Sequence, residues 1–279
     1  MNYGSYGGGQ RGCGGGGIRL AIAAVVALVS LFTYFRNSST NPITGEKQHI
    51  SISADQEIAL GLQAAPQMVQ QYGGEDQDPQ DQQLVNSVGD ELRQKSAAGK
   101  TPYKFQFHCL ADDQTVNAFA LPGGQVFITR ALLTKLKTRG QLAGVLGHEM
   151  GHVAARHGAE QMAKQQLTQG LTGAAVIATY DSRNPQSRAA MAMMVAQLVN
   201  LKYSRDDESE ADKLGVRFMS EAGYDPNAMI GVMEVLKSVG GGGQAEFFQT
   251  HPNPEHRIER IKQNIKEEFP NGVPSGLKS

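Results

Sequence analysis

Five consecutive residues, His148-Glu149-Met150-Gly151-His152, set two imidazoles and a carboxylate at a spacing that can do chemistry. On a helix, side chains four apart project from one face a turn apart, so both imidazoles can reach one tetrahedral metal ion. Glu149, one position after the first imidazole, leans toward the open side of such an ion. A carboxylate placed there takes a proton from a water, which is the general-base half of a hydrolysis.

The order His-Glu-x-x-His is the signature of zinc-dependent peptide hydrolysis, and it also arises by chance in roughly one chain in a hundred of this length. Context has to decide. Leu142, Val145, Leu146, Met150 and Val153 form an apolar stripe at spacings of three and four, Gly140 stands at its start, and polar residues follow Arg156. A buried helix carrying two histidines and a glutamate is costly unless something satisfies them. Cationic Arg139 at the start of that helix opposes its dipole by under about 1 kcal/mol, which does not threaten the ligands.

A catalytic zinc site takes a third protein ligand and keeps its fourth position open. A histidine six residues after His152 would serve, but Gly158 stands there, with His157 out of register by one; a glutamate twenty residues on would serve, but Thr172 stands there. The next candidate is SRDDESEAD, residues 204–212, where Glu208 and Asp212 are four apart and share a helical face. Glu208 can ligate while Asp212 accepts the ring N–H of a ligating histidine. The same acidic run can equally be a solvated helix start, since carboxylates favour helix N-termini.

These residues need elements to position them. With 279 residues, 40% of them hydrophobic, the chain can bury one core and still leave length for a tail and an anchor. A net charge of -1 without a long basic run argues against nucleic acid as a partner. Residues 1–17 are a glycine-rich, disordered tail. Leu20 to Phe35 are sixteen uncharged residues between Arg19 and Arg36. They can span a bilayer with snorkelling arginines and with Phe32, Tyr34 and Phe35 at the interface. No small-residue cleavage site follows, and Cys13 precedes the stretch rather than following it as in a lipoprotein. Residues 18–36 therefore read as an uncleaved signal anchor, a cleaved signal peptide and a buried soluble helix being the other readings. Arg11 and Arg19 place the N-terminus in the cytoplasm and the rest outside, periplasmic in a bacterium. Cys13 and Cys109 then lie on opposite sides of the membrane and do not pair.

Residues 37–50, polar with Pro42 and Gly45, read as a linker, 51–269 as the folded domain and 270–279 as a flexible C-terminal tail. Ser53, Glu57, Ile58 and Leu62 predict a first helix stopped at Tyr72-Gly73-Gly74, and Leu84, Val85, Val88 and Leu92 a second ending near Gly99. Alternation at Tyr103, Phe105, Phe107 and Cys109 predicts a strand; Asn117–Leu121 and Gln125–Thr129, joined through Pro122-Gly123-Gly124, predict a hairpin. A short helix over 130–138 leads to the metal helix, and another runs from His157 through Gln169. The fold class is thus α+β: mainly helical, with a small, mainly antiparallel sheet beside the metal helix, preceded by one transmembrane helix. The sheet edge either binds an extended peptide as an added strand or is plain core. Two further apolar stretches, LTGAAVIATY and AAMAMMVAQLVNL, are too short to span and read as buried or interfacial helices, with Met191, Met193 and Met194 as core filler.

HEMGHVAARH, YSRDDESEADKLGVRFMSEAGYDPNAM and THPNPEHRI, in that order, resemble the HtpX-like and CAAX-prenyl-endopeptidase group of zinc metallopeptidases, metallopeptidase family 48, from about Ser51 to Ile261. The resemblance implies a gluzincin site holding Zn2+, with His148, His152 and Glu208 as ligands and Glu149 as general base. It also selects Glu208 over Glu210, because the family's ligand lies four before the aspartate of its EAD-type motif, here Asp212. The family carries a histidine in a His-Pro motif, here His251-Pro252. By resemblance His251 either donates to the oxyanion of the tetrahedral intermediate or caps the zinc as a reversible latch; otherwise it is a residue leading into a helix before Pro254. Arg257 pairs with a carboxylate and receives no chemistry, and residues 240–248 read as a mobile loop over the cleft. The expected protein is a membrane-anchored zinc metalloendopeptidase acting on extracytoplasmic or membrane-associated proteins in quality control. Its rival is a zinc-stabilised chaperone or client-binding scaffold.

Overall fold

The computed structural model describes residues 15–179, 203–239, 247, 251 and 256–279. The chain divides into two units, one of residues 1–37 and 163–199, the other of 38–162 and 200–279. In the first, helix α1 (Gly15–Arg36) reaches a mean hydropathy of 2.1 in an 18-residue window, long and apolar enough to cross a membrane. Leu20, Val25, Leu28, Phe32 and Phe35 stand exposed on it, a surface that calls for an apolar surrounding.

The second unit begins earlier than the polar composition of 37–50 predicts. Strands β1 (Ser38–Thr40) and β2 (Lys47–His49) pair antiparallel in place of the expected linker. The buried amides of Asn41, in the turn between them, and Gln48, in β2, donate to the carbonyls of Ala154 and Ala155 at the end of the metal helix. Those carbonyls are among the acceptors every helix leaves open at its C-terminus, so two polar side chains that look solvated in the sequence serve as buried caps.

Helix α2 (Ala54–Gln71) starts at a capping box between Ser53 and Gln56, and α3 (Pro79–Lys95) at Asp78 with proline in its first position. Strands β3 (Gln106–Leu110), β4 (Ala118–Leu121) and β5 (Gln125–Thr129) form a sheet in the order β3-β5-β4. The β4–β5 hairpin forms as expected, turning at Gly123 and Gly124, whose positive φ glycine alone adopts freely. β3 pairs along the edge of β5 that β4 leaves open, and runs parallel to it. Antiparallel pairings still outnumber the parallel one among the described residues.

Next come α4 (Arg130–Leu133), the metal helix α5 (Arg139–Ala154), α6 (His157–Thr179), which continues into the first unit, then α7 (Arg205–Glu221), α8 (Ala228–Val239) and α9 (Arg257–Glu268). Every residue of α5 from Leu142 to Ala154 is buried, under α7, α8, α3 and β4. Arg139 at its start swings away from the dipole to Ser87 and Glu91 of α3. α7 comes close because small residues meet: Gly147 lies on Gly215, and a Cβ on Gly151 would stand 2.9 Å from the Ala211 carbonyl oxygen. The C-terminal residues, expected as a free tail, are tied down by backbone pairing that side-chain patterns do not display. Lys278 N–H donates to the Gly223 carbonyl, Asp225 N–H donates to the Lys278 carbonyl, and the Lys278 ammonium sits on Glu91. The expectations for the glycine-rich tail up to residue 14, for the stretch 189–201 with its methionines, and for residues 240–246 lie outside the described residues.

Candidate metal centre

α7 opens with a second capping box, Ser204 with Asp207, which fixes where its first turn begins. Glu208 lies in that turn, where the helix N-terminus favours an anion. The contact of Gly151 with Ala211 then brings Glu208 against the two histidines of α5. His148, Glu149, His152, Glu208, Asp212 and His251 are each at most 3% exposed, so the six residues predicted from the sequence gather at one buried point.

His148 Nε2 and His152 Nε2 are 3.1 Å apart, and the Glu208 carboxylate oxygens stand 3.5 and 3.3 Å from them. Ligand atoms bonded at about 2.0–2.1 Å to a tetrahedral ion are separated by about 3.3 Å, so the triangle has the size zinc requires. His251 Nδ1 makes a fourth corner, 2.9 Å from Glu208 and 3.5 Å from His148 Nε2. One donor atom from each of these four residues lies within 4.8 Å of all the others, a set suited to a metal ion. Among the described residues, both oxygens of buried Glu149 and Nε2 of His251 lack a hydrogen-bond partner. Buried polar atoms are rarely left so, and a cation with its reacting water answers that deficit.

The imidazoles are held from behind by two different devices. His148 Nδ1 lies 2.9 Å from Asp212 Oδ1. Asp212 is gripped in turn by the Arg257 fork, Nε to Oδ2 and Nη2 to Oδ1 both at 2.7 Å, while Nη1 reaches Glu208 at 3.2 Å. His152 Nδ1 instead meets His157 Nδ1 at 2.9 Å, and His157 Nε2 meets Glu210 at 3.0 Å. The Tyr203 ring stacks on His152 with centroids 4.0 Å apart, and Phe247 stacks on His251 at 4.5 Å.

Burial pushes the Glu149 carboxyl above its ordinary range, which suits a base working near neutral pH. Burial acts on His152 in the other direction and keeps its imidazole neutral, the form that ligates metals. Burial also opposes a charge on His148, but hydrogen bonds to Asp212 and Glu208 outweigh it and lift this group to about 9. Glu208 and Asp212 would be raised by burial as well. The surrounding imidazoles hold Glu208, and the Arg257 guanidinium holds Asp212, below the usual carboxylate range. Glu208 therefore stays a carboxylate at the point where a cation would sit.

Arg257 pairs with a carboxylate, Asp212, as the sequence reading expected without giving it any part in the chemistry, while His157 and Glu210 were weighed there only as ligands. Arg257 reaches Asp212 across 45 positions, a separation no local pattern reports. His157 is brought back to His152 by a turn at Arg156, which adopts a positive φ of 62°.

The profile of Peptidase family M48 matches residues 79–265. The chain is 30% identical over 247 residues to a beta-barrel assembly-enhancing protease of Yersinia pestis, covering 84% of this chain and 49% of that one. To the protein of the same name from Escherichia coli (strain K12) it is 29% identical over 249 residues, 86% and 50% of the two chains. To a mitochondrial metalloendopeptidase of Schizosaccharomyces pombe (strain 972 / ATCC 24843) it is 31% identical over 237 residues, 84% and 68%. The chain thus spans about half the length of the two bacterial relatives.

Proposed function

We propose, from the premise that this chain belongs to peptidase family M48, that it is a zinc metalloendopeptidase, anchored by α1, that cuts extracytoplasmic or membrane-associated proteins in quality control. The observation that carries this reading is the triangle of His148, His152 and Glu208 donor atoms with the Glu149 carboxylate beside it, held by no hydrogen bond and 3.8 Å from His251 Nε2. A site that only braced the fold would need no base.

His148, His152 and Glu208 would hold the ion. When bound, zinc supplies Lewis acidity that polarises a scissile carbonyl and makes a water acidic near pH 7. Glu149 takes the water's proton on a buried oxygen and passes it to the leaving amine. Asp212 accepts the Nδ1–H of His148 and so presents Nε2 forward, and Arg257 keeps Asp212 in place. β4, at the sheet edge and packed on α5, accepts the substrate backbone as an added strand. α1, with Arg19 on its cytoplasmic side, leaves the catalytic domain outside, periplasmic in a bacterium. The names of the bacterial relatives, which refer to assembly of β-barrels, support substrates at or near a membrane.

His251 acts as a latch in this reading, since its Nδ1 already stands at the fourth corner of the donor set. The same observation favours a second reading, a four-ligand site that stabilises a client-binding scaffold. Zinc content and casein cleavage by residues 37–279 separate the two, comparing wild type with Glu149→Gln and His251→Ala. The peptidase reading expects Glu149→Gln to keep zinc and stop cutting, and His251→Ala to cut faster. Slower cutting by His251→Ala makes this residue an oxyanion donor instead. Zinc bound in all three with no cutting by any supports the scaffold.

A further inference from the structure

The two histidines of α5 are supported unequally. His148 leans directly on a carboxylate, whereas His152 leans on a second imidazole, and that imidazole on Glu210. The direction of each hydrogen bond follows from the site. His152 Nε2 faces the donor cluster, 3.1 Å from His148 Nε2 and 3.3 Å from Glu208, so its lone pair points inward and its proton sits on Nδ1. His152 Nδ1–H therefore donates to His157 Nδ1, and the proton of His157 is left on Nε2, where it donates to Glu210. His157 has one ring nitrogen to accept with and one to donate from, and both are used.

The fold makes several arrangements for this line. Arg156 turns the chain in the left-handed region so that His157, five residues after His152, returns to it. The Arg156 guanidinium is held there by Glu57 and by the Ile52 carbonyl. His157 is 1% exposed, and the carboxylate at the far end is 27% exposed, facing the cleft between α7, α9 and the β1–β2 turn.

We propose that His157 and Glu210 are positioning residues for metal binding. They fix the tautomer and ring orientation of His152 through a two-step relay, so that zinc affinity depends on a carboxylate that never approaches the ion. The proposal rests on His152 being a ligand. Partners behind metal-binding histidines characteristically change metal affinity 10–100-fold when removed.

The test uses the full-length chain in detergent and reads the zinc dissociation constant by competition with a chelator. The d–d bands of the Co2+-loaded protein and the melting temperature of the metal-free protein are read alongside. His157→Ala and Glu210→Ala are expected to weaken zinc at least 10-fold and to shift the Co2+ bands. Glu210→Gln, whose amide oxygen still accepts from His157, is expected within about threefold of wild type. Glu210 is partly exposed, so its variants test the idea even where His157→Ala melts early. Wild-type zinc affinity in Glu210→Ala overturns the proposal, and so does a Glu210→Gln loss equal to that of Glu210→Ala. A His152→Ala control separates the two readings: if it retains zinc, the ligand assignment fails; if it loses zinc while Glu210→Ala does not, only the relay fails.

Discussion

Replacing Arg257 by methionine keeps an unbranched, apolar stem and removes the guanidinium with its charge. The guanidinium is 3% exposed and serves two carboxylates at once, Asp212 through two contacts of 2.7 Å and Glu208 through one of 3.2 Å. Removing one partner of a buried ion pair costs about 3–5 kcal/mol, because the other charge stays behind without compensation. With two buried carboxylates stranded, the upper end applies, about 5 kcal/mol. At about 2–4 °C per kcal/mol for a domain of this size, the metal-free protein should melt roughly 10–20 °C below wild type. The chain contains no tryptophan, so circular dichroism is the better probe. A double-mutant cycle sharpens the test: Arg257→Met with Asp212→Leu should be milder than the sum of the singles, since the stranded Asp212 charge is gone. A drop under about 3 °C for Arg257→Met refutes the reasoning, as does strict additivity in the cycle.

The cleavage rate should lose its activity on the acid side as Glu149 takes up a proton. Because burial raises this group above 4.5, activity is present above its pKa and the acid limb of kcat/KM should lie above pH 4.5; a limb below that value contradicts the electrostatic account. Gly151→Ala should force the new methyl against the Ala211 carbonyl, destabilise by about 1–3 kcal/mol and weaken zinc by drawing Glu208 away, and a variant with unchanged zinc affinity would disprove the close fit. Asn41→Ala should remove a buried amide that spans Gln48 and Ala154 and cost about 1–3 kcal/mol, read as a lowered melting temperature; no change would return residues 37–50 to the status of a linker.

What could be read in the sequence was what repeats within one element. His148 and His152 share a helical face, Glu208 and Asp212 share another, and both spacings of four survive intact in α5 and α7. The β4–β5 hairpin was legible from its glycines. Asn41 and Gln48 were misleading because polarity alone predicts solvent, whereas here their amides fill a helix end. The parallel course of β3 is a relation between strands that the alternation within one strand does not report. His157 was judged as a metal ligand and found one position out of register. Its place behind His152 depends on the left-handed turn at Arg156, where nothing marks the residue as special.

The distance along the chain between the parts of the centre sets an order of biosynthesis. His251 and Glu208 are 43 positions apart, and His148 and Arg257 are 109 apart. At about 5–20 residues per second of translation, α5 exists for several seconds before α9 is made. Until α7 emerges its two imidazoles have no Glu208 beside them, and from then until α9 emerges Asp212 and Glu208 wait for their guanidinium. A nascent chain therefore cannot assemble the whole centre early, and its donor set becomes complete only when the domain is nearly finished.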